Sequence, residues 1–198
     1  MHVVKDSVRY FVWVALCLCS SMLASSTANA AEERWEADAR IGIDLGVTGG
    51  LTLSPREQAG MAAVSLGLEL GRQFSRRWSV FLRGETGSVV LSSYGGAYLM
   101  AEHTPSRPLS VAAGAGVEGV ANLDFRQGPG EGGFNNYLGV AFPLRFSFNF
   151  LSKKEWEQRK LGGTWRISAT FVGGPVTSGR FRNDGFFRGG LAIGYVSM

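Results

Sequence analysis

Period-two alternation recurs along this chain more than any other pattern, and its two faces differ in kind. In the run over 39–48, Ala39, Ile41, Ile43, Leu45 and Val47 share one face. Arg40, Gly42, Asp44, Gly46 and Thr48 share the other. The run over 62–74 sets Val64, Leu66, Leu68 and Leu70 against Ser65, Gly67, Glu69 and Gly71. After a tight Ser75-Arg76-Arg77 turn, a third run opens at Trp78. It opposes Val80 and Leu82 to Ser79, Arg83 and Glu85, with Phe81 an exception on the polar side. A loop at Ser92-Ser93-Tyr94-Gly95 precedes a short fourth strand over 96–102. Two prolines then predict a turn over 103–108, since neither can sit inside a ladder.

Four further runs complete the pattern. The fifth, 109–120, alternates Leu109, Val111, Ala113, Ala115 and Val117 with Ser110, Ala112, Gly114, Gly116 and Glu118. A glycine-rich loop at 127–133 leads to the sixth. There Val140, Phe142, Leu144, Phe146, Phe148 and Phe150 oppose Gly139, Ala141, Pro143, Arg145, Ser147 and Asn149. Helix formers behind Ser152 predict one or two helical turns over 152–159. The seventh run sets Trp165, Ile167, Ala169 and Phe171 against Arg166, Ser168 and Thr170. The last sets Leu191, Ile193 and Tyr195 against Gly190, Ala192 and Gly194.

The first thirty residues stand outside this pattern. Lys5 and Arg9 precede the apolar stretch Phe11–Leu18, and small residues follow, ending Ala28-Asn29-Ala30. That arrangement predicts a cleavable signal peptide over 1–30, a short periplasmic segment over 31–38 and a barrel over 39–198. Both cysteines, Cys17 and Cys19, lie in the piece to be removed, so disulfide stapling and cysteine-ligated metal are excluded for the remainder. Cleavage leaves 198 − 30 = 168 residues, and 168/8 = 21 residues for each of eight strands with its connection. Tilted membrane strands of roughly ten residues fit that spacing. No stretch after Ala30 is long and apolar enough for a membrane-spanning helix. Removing Lys5, Arg9 and Asp6 takes the net charge from +4 to +3, too mild and too interspersed to point to nucleic acid.

The composition of the two faces decides which one looks outward. A soluble barrel keeps apolar residues inside and charges outside. Here the apolar face is rich in aromatic and branched residues, whereas the other mixes charges with Gly, Ala and Ser too small to cover a wetted surface. The reverse parity would place Arg83, Arg145 and Arg166 in lipid, at about 2–4 kcal/mol each near the bilayer midplane. The expected fold is therefore all-β: a closed, antiparallel, up-and-down transmembrane β-barrel of about eight strands. Phe74, Trp78, Phe148, Phe150, Trp165 and Tyr195 then fall at one end, and Tyr137, Phe171, Phe186 and Phe187 at the other. This predicts two aromatic belts.

In this pattern the chain resembles the small outer-membrane barrels of the OmpA and OmpX type. The most specific piece is Arg188-Gly189-Gly190-Leu191-Ala192-Ile193-Gly194-Tyr195, which is similar to the C-terminal signal read by the outer-membrane assembly machinery. The chain departs from that family in continuing through Val196 and Ser197 to Met198, where an aromatic is usual. The resemblance implies outer-membrane localisation, with membrane lipid and the assembly machinery as partners. It leaves the oligomeric state open.

Nine charges fall on the inward face: Arg40, Asp44, Glu69, Arg83, Glu85, Glu118, Arg145, Arg166 and Arg188. They admit two readings, a narrow ion-conducting channel or a paired network filling the lumen. Eight strands leave room only for side chains, which favours the second. A third reading, a lipid-modifying enzyme, needs a nucleophile beside a base. His103 with Ser106 is the one such pairing, and its place in a turn among prolines argues for an ordinary solvated turn. No catalytic residue, cofactor or metal ligand is expected, and Gly128-x-Gly130 lacks the Lys and helix of a phosphate loop. Arg180, Phe181 and Arg182 form a candidate surface-binding loop for lipopolysaccharide phosphates or another acidic partner, set against the ordinary solvated loop that such mixed sequences more often make. Otherwise the expected role is structural or surface-interacting, carried by loops.

Overall fold

The computed structural model describes residues 38–53, 60–75, 77–89, 92–106, 108–123, 134–150, 163–179 and 184–197. They form eight strands: β1 Asp38–Leu53, β2 Gly60–Gln73, β3 Trp78–Val89, β4 Ser92–Ser106, β5 Leu109–Leu123, β6 Phe134–Asn149, β7 Thr164–Gly179 and β8 Gly185–Ser197. Each pairs antiparallel with its neighbours in sequence, and β8 returns to β1 to close the barrel. The residues before Asp38, the glycine-rich loop over 127–133, the helix expected over 152–159 and the loop residues Arg180 to Asn183 lie outside the described residues.

The register fixes the bore. Paired residues lead from Ala39 through Arg72, Val80, Ala101, Ala113, Leu144, Phe171 and Gly189 back to β1 at Gly49, so one circuit climbs 49 − 39 = 10 residues. With a rise of about 3.3 Å per residue and strands about 4.8 Å apart, the tilt is about 41° and the backbone radius about 8 Å. An arginine reaching inward from one wall therefore meets side chains from the opposite wall.

Alternation in the sequence becomes alternation in exposure. Ile41, Ile43, Leu45 and Val47 on β1, Val64 to Leu70 at every second position of β2, and Leu191 and Ile193 on β8 all point outward. Their neighbours on each strand point in. Some of the inward glycines make room for charge. At Gly67 a Cβ would collide with the Asp44 carboxylate and the Arg83 guanidinium. The hairpin between β2 and β3 is held by Ser75, whose hydroxyl accepts from the backbone N–H of Arg77 at 3.2 Å and of Trp78 at 3.1 Å.

Three expectations need correction. β4 is a full-length strand, and Ser92–Gly95 belongs to it rather than to a loop. At its other end it continues through His103 and Pro105 to Ser106. The register shifts between His103 and Ser106, and that break absorbs the proline without costing a ladder bond. Only the far aromatic belt is altered. Phe171 and Phe187 face outward and stack at 6.3 Å, but Tyr137 and Phe186 are buried in the lumen, 7 % and 2 % exposed, with ring centroids 5.7 Å apart. The reason is the pleat: Phe186 and Phe187 are adjacent on one strand and must point to opposite faces. At the near end Phe74, Phe148, Phe150, Trp165 and Tyr195 all point outward.

Leu68 is mid-strand on β2 and 53 % exposed on the outward face. Leu68→Arg is expected to cost about 2–4 kcal/mol of unfolding free energy in lipid vesicles, measured by urea titration.

Candidate functional site

Among the described residues, the inward rows bring ten charged side chains into one lumen. Arg40 and Asp44 come from β1, Glu69 from β2, Arg83 and Glu85 from β3, Glu102 from β4 and Glu118 from β5. Arg145 comes from β6, Arg166 from β7 and Arg188 from β8. All ten are buried. Nine of them are those singled out on the sequence, and the tenth is Glu102. With it the set holds five arginines and five carboxylates, so its formal charge is zero. A single uncompensated charge in such an interior would cost several kcal/mol.

Glu69 is the hub. Its Oε1 accepts from Arg83 at 2.9 Å, from Arg166 at 2.5 Å and from Arg145, while its Oε2 accepts from Arg40 at 3.0 Å. One carboxylate on β2 thus ties together β1, β3, β6 and β7. Arg40 also forks onto Glu102, with Nη1 2.7 Å from Oε1 and Nη2 3.1 Å from Oε2, and donates to Ser79 at 2.6 Å. Arg145 reaches Glu102 at 2.9 Å. Arg83 forks onto Asp44 at 2.5 and 3.0 Å and holds Glu85 through Nε at 3.1 Å and Nη2 at 2.9 Å. Bidentate pairs of this kind fix both geometry and register.

A second tier lies toward the far end. Arg188 forks onto Glu118 at 3.2 and 3.0 Å and donates to Glu85 at 2.6 Å. Tyr94 donates to Glu85 and Tyr98 to Glu118, each at 2.6 Å. Glu85, held by both Arg83 and Arg188, joins the two tiers.

Aromatic rings complete the packing. The Arg40 guanidinium sits 4.2 Å from the Phe81 ring centroid and that of Arg145 sits 5.1 Å from it. Arg188 lies 4.2 Å from Tyr94. Phe81, the exception on the polar face of its strand, is thus a stacking platform for two arginines.

Tyr94 escaped the sequence reading because it was placed in a loop, whereas Tyr98 and Glu102 fell within the expected strand over 96–102, to which no inward face was assigned. Had its parity been carried through 92–106, all three would have fallen on one inward row with Gly96 and Met100. His103 stands apart from the network, with its ring 4.4 Å from that of Trp78 at the near end, while Ser106 pairs with Leu109 at the β4–β5 turn. The candidate loop residues Arg180, Phe181 and Arg182 lie outside the described residues, between Gly179 of β7 and Gly185 of β8.

No protein-family model and no curated relative matches the chain. Solved structures do. Ail, the attachment invasion locus protein of Yersinia pestis, aligns with a TM-score of 0.53 at 13 % identity, covering 80 % of this chain and 99 % of that one. Its complex with the heparin analogue sucrose octasulfate aligns at 0.52 and 13 % identity, covering 80 % and 99 %. Neisserial surface protein A (NspA) aligns at 0.54 and 9 % identity, covering 82 % and 99 %. At these identities the likeness is one of fold: the chain has the architecture of the small eight-stranded outer-membrane β-barrels.

Glu69→Gln removes the one carboxylate that four arginines share. It is expected to destabilise the folded barrel by about 3–5 kcal/mol, more than Glu102→Gln, whose carboxylate serves two. The shift in urea midpoint of the band that migrates differently before and after boiling measures both.

Proposed function

We propose that this chain is an exported, integral outer-membrane protein whose barrel is a filled, non-catalytic support and whose extracellular loops do its work. Residues 1–30 are its signal peptide, 31–38 a short periplasmic segment and 39–198 the barrel. The near end, with the short β2–β3 and β4–β5 turns, faces the periplasm. Arg188 to Tyr195 present the stretch recognised by the assembly machinery.

The observation that carries this reading is the pairing of all ten lumen charges inside an outward apolar band. Each carboxylate is bonded to at least one guanidinium across a bore of about 8 Å backbone radius. Steady ion passage would require several of these pairs to part together, which disfavours the narrow-pore alternative.

The loop partner is proposed to be an anionic surface molecule, with lipopolysaccharide phosphates the nearest at hand. Arg180 and Arg182 flank Phe181 in the β7–β8 connection, offering two guanidiniums and a ring. Two fold neighbours support this choice: one is named a surface protein, and the other has been solved with a sulfated heparin analogue.

Planar-bilayer recording of the purified protein is expected to show no discrete conductance, and steady unitary currents would overturn the filled-lumen reading. Replacing Arg180 and Arg182 together with Ala is expected to weaken binding to lipopolysaccharide vesicles at least tenfold. A charge-assisted hydrogen bond contributes about 1.5–3 kcal/mol, so equal binding would remove this loop from the account.

A further inference from the structure

The lumen takes up ten charges, and the arginines left outside it gather on one hairpin. Among the described residues, Arg72 is the one charged side chain on an outward row of a strand. It stands on β2 between Leu70 and Phe74, which are 61 % and 52 % exposed on the same face. Its cross-strand partners, Ala39 on β1 and Val80 on β3, are both shorter than an arginine, so the guanidinium has room to extend. Arg77 follows in the turn of the same hairpin and is also exposed. Its backbone is held from two sides: its N–H donates to the Ser75 hydroxyl at 3.2 Å, and its carbonyl accepts from the Thr104 N–H at 2.8 Å. Between the two arginines, the Phe74 N–H donates to the Trp78 carbonyl at 2.9 Å, and the Trp78 ring packs on His103 with centroids 4.4 Å apart.

The protein compensates neither arginine. Every ion pair between described residues joins two of the ten lumen charges. Arg72 lies within the near aromatic belt, where a strand passes from hydrocarbon to headgroups. An arginine costs little at that depth, because its stem lies along the apolar face while its head reaches the interface. Water satisfies the N–H groups of Arg77. Leu70 and Phe74, however, keep Arg72 beside acyl chains, whose own headgroup is the nearest acceptor. A guanidinium takes a phosphate through two parallel N–H···O bonds, which an ammonium cannot do.

We propose that the β2–β3 hairpin is a docking surface for one anionic phospholipid. Arg72 grips its phosphodiester, Arg77 adds a second charge at headgroup level, and the acyl chains lie along Leu70 and Phe74. The proposal rests on the membrane reading of the outward face; the periplasmic placement of the near end decides only which leaflet supplies the lipid.

Phosphatidylglycerol is the probe and phosphatidylcholine the control. Titrated into the folded protein in detergent micelles and read by native mass spectrometry, phosphatidylglycerol is expected to form a one-to-one complex. Arg72→Gln combined with Arg77→Gln is expected to weaken that complex about thirtyfold, through the loss of two basic contacts at a lipid headgroup. The proposal is overturned if the double variant binds as tightly as the unaltered protein, or if phosphatidylcholine binds as tightly as phosphatidylglycerol. Should the double variant not fold, the urea midpoint of the unaltered protein is expected to be higher in mixed vesicles of the two lipids than in phosphatidylcholine alone, and equal midpoints overturn the proposal. Failure to insert into vesicles of either composition would instead contradict the membrane reading, and the proposal with it.

Discussion

The Glu69 carboxylate accepts from four arginines that belong to four different strands, and much of the barrel's interior order depends on it. A buried ion pair is a weak source of net stability, because desolvation consumes most of the Coulombic gain. Its contribution here is specificity. Sliding a strand by one residue would exchange its two faces, carrying arginines to the outside and leucines to the lumen. Cross-lumen forks such as Arg40–Glu102 and Arg83–Asp44 exist in one register only, the one that climbs ten residues per circuit.

Outside and inside impose complementary demands. Hydrocarbon accepts Leu, Ile, Val and Phe but not a guanidinium, so the charges turn inward. The bore then leaves no room for them to be separately hydrated, so they pair, and the glycines and serines beside them keep the space that arginines need. Phe81 and Tyr94 cover guanidinium faces that hydrogen bonds do not reach. Tyr137 and Phe186 pack against each other in the same interior, nearer the far end. In this arrangement the barrel is a rigid mount, and variation is free to accumulate in the connections.

The architecture was legible in the sequence because period two and face chemistry agreed strand after strand. Arg145 among Ala141, Pro143, Ser147 and Asn149, opposite a row of phenylalanines, leaves little choice of parity. Legibility failed where a local rule was allowed to overrule parity. Pro105 shortened the fourth strand at one end, although a register break accommodates it, and a loop reading of Ser92–Gly95 hid Tyr94 at the other; Tyr98 and Glu102, inside the expected 96–102, were missed because no inward face was assigned there. Phe186 was assigned by composition to a membrane belt, although its neighbour Phe187 already occupied the outward position. Which carboxylate becomes the hub was beyond the sequence, since that depends on distances across the lumen rather than along a strand.

Both polarity and filling are tested most directly by spin labels placed one at a time over 64–70 of β2, in a chain whose two cysteines are confined to positions 17 and 19. In bilayers, labels at 64, 66, 68 and 70 are predicted to collide with dissolved oxygen. A label at the inward position 65 should be shielded from both oxygen and a water-soluble nickel chelate. Opposite phase would contradict the outward apolar face, and nickel access at 65 would contradict the filled lumen.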